Sequence, residues 1–341
     1  MVSEPTDLLP YYDNAIDEQR TMPVVELLFP APLLPVSYEY TTTGTLERVP
    51  SFANGDVAVQ DVQVYLDSSG EITSTATANV TTTKQIVVTY RWNPTLRWSD
   101  GITVTAADSV FAYNLARNGL LSEKAAQRAQ LLDRYEQVDD HTTQAYLNTD
   151  FAVPPEEPPE ITDPSYVLTY WTPLPSHLLS GATMNALAGT EYAMAPVGYG
   201  PYVVAQREEG RIQFVRNPYY GGTPPMADDV TFVFAPTFDM LRTGVLDGRL
   251  DLAITDHVSA DQFSFLARDK EMKLLDVIYT PGPVWEHIDF NLDKPVFPDI
   301  RIRRALIYGT NRQKMIDALF GGHMSVLHSW IVPEHWASVS E

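Results

Sequence analysis

Paired carboxylates are the first residues to test for chemistry, and this chain carries two adjacent pairs, Glu156-Glu157 and Asp228-Asp229. General acid and base work needs two carboxyl groups facing each other across a substrate, and neighbours along a chain do so only if folding places them there. The first pair lies in a proline-rich run and the second in a turn-like one, which leaves a glycosidase-like hydrolase as the weaker alternative. His323, His328 and His335 raise a metal site, yet their spacings match no zinc motif and H-E-x-x-H is absent. Neither a G-x-S-x-G elbow nor a Walker loop occurs. The chain has no cysteine, which removes disulfides, thiolate metal ligands and cysteine nucleophiles together. The sequence therefore predicts no enzyme, no cofactor and no metal.

Charge narrows the partners. Over 341 residues, 44 acidic and 23 basic side chains give a net charge of −21. A polyanion needs clustered Lys and Arg to displace its counterions, so nucleic acid is excluded as a partner, and an anionic membrane surface is disfavoured for the same reason. The acidic surface steers cationic ligands without selecting among them. Apolar residues make up 44% of the chain, enough for a packed core, and the length suits about two or three domains. No apolar run reaches the roughly 18–20 residues of a membrane-spanning helix, and the start, Met1-Val2-Ser3-Glu4-Pro5, has no signal-peptide character.

The elements that would position any site follow from periodicity and punctuation. Prolines cluster over 23–50 and in Val153–Pro159, marking loops or domain crossings. Residues 57–92 read as strands, with Ile86, Val88, Tyr90 and Trp92 on one face. Trp98-Ser99-Asp100-Gly101 reads as a turn with Gly101 at positive φ, followed by a helix with Thr105 at its N-cap and Asp108 at capping-box spacing. Asn118-Gly119 stops that helix, and Ser122 starts another that the pattern extends to about Tyr135. A turn over Asp139–Thr142 leads into a strand from Gln144 to Leu147. Glu209-Gly210 reads as the turn of a hairpin. A helix over 239–247 closes at Gly248 before an apolar strand, Leu250 to Ile254. Asp299 caps a further helix, broken at Thr310-Asn311 and stopped at Gly321-Gly322.

Four segments, in this order and at these distances, resemble the family 5 solute-binding proteins of ABC importers, the group of oligopeptide-, dipeptide- and nickel-binding proteins. Leu96 to Asp108 is similar to the pattern W-x-D-G-x-P-V-T-A-x-D, with Thr103 in place of the usual proline. Pro196-Val197-Gly198-Tyr199-Gly200-Pro201-Tyr202 is followed at a similar spacing by Arg216-Asn217-Pro218-Tyr219-Tyr220. Tyr199 stands where the family has a small residue, so its ring either fills part of a cleft or points outward. Val245 to Asp251 resembles L-x-x-G-x-x-D. Asn291, Pro295, Phe297, Asp299, Arg301, Arg303 and Ala305, then Asn311-Arg312, resemble N-x-x-x-x-P-F-x-D-x-R-V-R-x-A followed by D-R, with Asn311 replacing Asp. Pro5 to Tyr11 is also similar to the family's opening.

The resemblance implies an α/β fold of the type II periplasmic-binding-protein kind, two lobes with an inserted small domain and an incomplete third domain. It places lobe I at 1–45 and 165–280, the smaller inserted domain at 46–164, and the start of the third domain at 285–341. Family members continue well past the Arg301–Arg312 region, so the chain is expected to be a segment of a longer protein or an unusually short relative. The implied function is extracytoplasmic, periplasmic or lipid-anchored at the cell surface: a monomer captures a small solute, foremost a peptide, between its lobes and delivers it to a membrane permease and its ATPase. A sensor or interaction module that keeps the fold without transport is the alternative. The resemblance points to Asn14, Ile16, Trp285 and His287 as ligand-binding residues, with Trp285 and His287 on one face of a strand running to Asn291; the competing reading packs that pair beneath an interface. Tyr11 and Tyr12 either stack on ligand or cover an apolar patch. Trp98, Asp100, Gly198, Gly200, Asp299 and Arg303 are expected to be structural.

Overall fold

The computed structural model describes residues 4–11, 21–36, 39–73, 75–149, 164–181, 190–255, 258–279 and 287–329. They fall into two compact units, Ser3–Phe234 and Ala235–Glu341.

In the first unit a short hairpin of β1 (Leu33–Val36) and β2 (Glu39–Thr42) precedes a five-stranded antiparallel sheet. That sheet is ordered β4-β3-β5-β7-β6, from β3 (Val57–Leu66), β4 (Ile72–Thr73), β5 (Val80–Arg91), β6 (Leu132–Asp139) and β7 (Thr142–Leu147). Its register, Val57 opposite Val88 and Val59 opposite Ile86, turns the expected apolar face inward. Ile86, Val88, Tyr90 and Trp92 are at most 4% exposed. Helix α1 (Ala106–Arg117) buries Ala106, Ser109, Ala112, Tyr113 and Ala116, a stripe at helical spacing that meets β6 and β7. Small residues in that stripe let the helix approach while the tyrosine fills the remaining space.

The expected continuous helix from Ser122 to Tyr135 is corrected by the structure. Helix α2 (Glu123–Ala129) is capped by the Ser122 hydroxyl, which accepts from the Ala125 amide, but it ends before Leu132, where β6 begins. Tyr135 is needed in the core, 4% exposed, and its backbone pairs with Ala145 of β7. Sheet pairing and ring burial override the local helical pattern.

Buried hydroxyls are joined in a run. The Trp92 Nε1 donates to Thr143 Oγ1 (3.0 Å), Thr143 meets the Tyr135 hydroxyl (2.8 Å), Tyr135 meets Ser109 Oγ (2.8 Å), and Ser109 donates to the Trp171 carbonyl (2.5 Å). Every acceptor is used when each hydroxyl donates onward in that order, so residue 92 just past β5, β7, β6, α1 and residue 171 share one polar seam. Burial pushes the Tyr135 phenol up to about 12, against the pull of its hydrogen bonds with Ser109 and Thr143.

After the short 3-10 turn Pro164–Leu168 come α3 (Ser176–Leu179) and α4 (Glu191–Met194). A three-stranded antiparallel sheet follows, from β8 (Tyr202–Glu208), β9 (Arg211–Arg216) and β10 (Asp229–Val233), with the expected turn at Glu209-Gly210. The Glu4 carboxylate ties the start of the chain to this turn by accepting from Arg207 (3.1 and 3.2 Å) and from the Gly210 amide (2.8 Å).

The described part of the second unit is helical: α5 (Phe238–Leu246), α6 (Ala260–Glu271), α7 (Ile300–Gly309) and α8 (Arg312–Phe320). Asp269, 2% exposed, takes a bidentate pair from Arg242 of α5 (2.5 and 2.7 Å). Asp299 caps α7 through the Arg301 amide, Asn311 caps α8 through the Lys314 amide, and Gly321 ends α8 at φ 58°. An amide oxygen thus serves at position 311 where the related pattern has a carboxylate. The expected strand Leu250 to Ile254 does not form among the described residues; Leu252 is 73% exposed and nothing pairs with it there. Neither α7 nor α8 buries a residue.

Stability should therefore be distributed unevenly. Trp92→Ala is expected to cost about 3–5 kcal/mol, whereas Leu306→Asp on α7 should stay within about 0.5 kcal/mol; urea unfolding of each variant measures both.

Candidate functional site

Of the predicted ligand residues, Asn14, Ile16 and Trp285 lie outside the described residues, as does Tyr12. His287 is described: it is exposed, in an extended stretch, and its Nε2 is 3.0 Å from the Asp289 carboxylate. Residues 287–290 form no strand. Tyr11 covers the interior of its own unit. Its ring stacks on Trp171 with centroids 6.1 Å apart, and its hydroxyl donates to the Thr172 carbonyl at 2.6 Å. Burial drives its pKa far above the usual phenol range.

What the fold does bring together is the set of motif segments in the first unit. Their centre is the Asp108 carboxylate, 3% exposed in the first turn of α1. Oδ2 accepts from the Thr105 amide (2.9 Å), the Thr105 hydroxyl (3.3 Å) and the Trp98 Nε1 (3.4 Å). Oδ1 accepts from the Ser176 amide (3.1 Å) and hydroxyl (2.6 Å). Five neutral donors from three stretches of chain converge on one buried anion, aided by the positive end of α1. The expected capping relation with Thr105 is present, but it is one part of a larger job.

The second motif segment closes over this centre. Ser99 donates its amide to the Gly198 carbonyl (2.8 Å). Gly200 and Tyr202 donate theirs to the carbonyls of Leu28 (2.7 Å) and Leu27 (3.1 Å). The crossing is so close that a Cβ at Gly198 would stand 2.2 Å from the Leu28 oxygen, and one at Gly200 2.3 Å from the Leu27 oxygen. Asn217 fastens the third stretch, its Nδ2 donating to the Gly200 carbonyl at 2.8 Å. Tyr199 neither fills a cleft nor points outward. It is 1% exposed, edge-on to Trp98 (5.6 Å) and Phe29 (5.9 Å), and donates to the Pro30 carbonyl at 3.0 Å. Gly101, at φ 91°, has its open side against the Tyr219 ring, 3.1 Å from where a Cβ would be.

Asp100, the acid of the W-x-D-G turn, pairs with His177 Nε2 at 2.8 Å. Partial burial works against its charge, but the His177 contact and the Ile102 amide outweigh it and hold its pKa below the ordinary aspartate range. The roles of Ser176 and His177 escaped the sequence reading: nothing in Pro175-Ser176-His177 signals that its partners lie 68 and 77 residues away.

The remaining chemistry-bearing residues are dispersed. Asp228 is 86% exposed and paired with Arg216 (2.8 Å). His323 is stacked on Tyr279, centroids 3.7 Å apart, with Phe263 beside it. No cluster of three or more His, Cys, Asp or Glu able to hold a metal occurs among the described residues, and no helix there is long and apolar enough to cross a membrane. A depression of about 70 Å³ between Gln206, Glu208, Arg211 and Gln213 is far below the ordinary size of a small-molecule pocket.

Comparison with known proteins identifies the architecture. The chain superposes on the oligopeptide-binding protein of Thermus thermophilus, solved with a pentapeptide, with a TM-score of 0.60 and 19% identity over 97% of this chain and 57% of that one. Its fold is that of the type II-like solute-binding proteins. Residues 74–341 match the family described as bacterial extracellular solute-binding proteins, family 5, middle, and the chain belongs to that family. A protein named as an ABC transporter peptide-binding protein of Brucella ovis is 26% identical over 232 residues, 66% of this chain and 40% of that protein. The dipeptide-binding protein of Escherichia coli is 24% identical over 208 residues, 61% of this chain and 36% of that protein. The chain thus spans about two fifths of the length of these curated relatives.

Removing the central carboxylate should be severe. Asp108→Ala strands the Trp98, Thr105 and Ser176 donors and is expected to cost about 3 kcal/mol or more, read as a lowered melting temperature. For Asp100, a depressed folded-state pKa means that its contribution is complete above the unfolded value of about 3.9 and is lost as pH falls through the lower folded value. Asp100→Asn should remove that part of the acid-side decline, so the difference in stability between wild type and variant shrinks below pH 3.9 or so.

Proposed function

We propose that this chain is part of the extracytoplasmic solute-binding component of an ABC-type importer, holding a small solute, foremost a peptide, between lobes that close on it and passing it to a membrane permease and its ATPase. The observation that carries the proposal is family membership over 74–341, joined to a fold in which the shared motifs of the first unit form one closed centre rather than scattered matches. The peptide assignment draws support from the names of the relatives in Brucella ovis and Escherichia coli and from the pentapeptide in the Thermus thermophilus protein. Extracytoplasmic placement follows from the family, and a periplasmic or lipid-anchored monomer is the form proposed for this member.

No reaction on the ligand is proposed. Binding shifts an open–closed equilibrium by as much as the ligand prefers the closed state. Asn14, Ile16, Trp285 and His287 are the proposed ligand contacts, and 1–45 with 165–280, 46–164 and 285–341 the proposed domain organisation.

Native mass spectrometry of this chain beside the full product of its gene tests the proposal through co-purified small molecules. Peptide masses on the longer form support it, and an empty, folded longer form favours a sensor or interaction role instead. In that longer form Trp285→Ala should weaken affinity for the co-purified peptide about tenfold or more with an unchanged melting temperature; unchanged affinity in a calorimetric titration removes Trp285 from the site.

A further inference from the structure

Met226 is unlike every other described methionine. It is 99% exposed, against 55% for Met272, 54% for Met240, 48% for Met324, 43% for Met315 and 38% for Met22, and Met194 is partly buried. It also sits on a backbone that is fastened in place. The Arg216 guanidinium donates to the carbonyls of Met226 (2.9 Å) and Ala227 (3.1 Å) and pairs with Asp228 (2.8 Å). The buried Tyr202 donates its hydroxyl to the Ala227 carbonyl (3.0 Å). Thr223-Pro224-Pro225 stiffens the approach on the other side. The loop therefore holds a thioether out in solvent while spending none of its apolar surface on the fold.

We propose that Met226 is a sulfoxidation site, a position at which this protein takes up an oxidising equivalent from a peroxide without loss of structure. The sulfur lone pair attacks one oxygen of hydrogen peroxide and the O–O bond breaks. The thioether loses two electrons to become the sulfoxide, and the other oxygen leaves as water after proton transfer. Oxidation turns a flexible apolar side chain into a polar one and disrupts packing wherever that side chain is part of a core. At Met226 there is no packing to disrupt, because the groups that fix the loop act on carbonyls and on Asp228, not on the sulfur. Helix-face methionines such as Met240 and Met315 have about half their surface covered, which slows approach of the oxidant.

A hydrogen peroxide time course on the purified chain, with proteolytic peptide mapping, tests both halves of the proposal. The Met226 peptide should gain one oxygen about two-fold or more faster than the peptides of the six other described methionines. Protein modified at Met226 alone should melt at the unmodified temperature, and Met226→Leu should abolish the fastest oxidation among the seven described methionines while leaving the other six rates unchanged. Equal or faster oxidation at any of those six, or a lowered melting temperature when only Met226 is modified, overturns it. The outcome is independent of cargo and of the importer.

Discussion

A carboxylate removed from water must be given back its hydrogen bonds, and Asp108 imposes that demand on the first unit. No cation among the described residues neutralises it; the compensation comes from the N-cap residue Thr105, the Trp98 indole and Ser176. Because five donors must aim at two oxygens, the turn before α1, the helix start and the segment leading to α3 cannot move independently. The glycine crossing at 198–200 is then a consequence of geometry: with Trp98 fixed by Asp108, and Tyr199 and Phe29 packed in sequence behind it, only a backbone without Cβ atoms can pass Leu27 and Leu28 at that separation. The motif shared with solute-binding proteins is in this sense a specification for how three distant stretches meet.

The hydroxyl run from Trp92 to Trp171 is a second, largely separate constraint in the same unit. It satisfies the polar tips of Trp92, Thr143, Tyr135 and Ser109, whose bodies lie in the core, while Trp171 joins it through its carbonyl alone and keeps its buried Nε1 without a partner among the described residues. The second unit is built differently. Its described helices are set by caps at Asp299 and Asn311 and by the Arg242–Asp269 pair, with little burial to reinforce them.

Local signals in the sequence were sufficient wherever the determining partner was near. The apolar face of β5, the Thr105–Asp108 relation, the Glu209-Gly210 turn and the stops at Asn118 and Gly321 depend on residues a few positions apart, and each was legible. The helix run-on to Tyr135 failed because Glu123–Leu131 is a good helical sequence and only pairing with β7 ends it. The Leu250–Ile254 segment misled in the opposite way, being apolar enough for a strand yet without a partner among the described residues. Ser176 and His177 were invisible as partners of Asp108 and Asp100, since complementarity across some 70 positions leaves no pattern in one sequence. Of the proposed ligand contacts only His287 lies among the described residues, so the binding site was legible as family resemblance more than as geometry.

The long reach of these contacts bears on the order in which the protein can form as it is synthesised. Glu4 waits for Arg207, a separation of 203 residues, and the carbonyls of Leu27 and Leu28 wait for Gly200 and Tyr202. Closing so long a loop is entropically expensive before other contacts reward it, which makes the step late and slow. Between the synthesis of Glu4 and that of Gly210, about 200 residues later, the Glu4 carboxylate lacks these partners, so this tie between the two stretches closes only after the β8–β9 turn has been made.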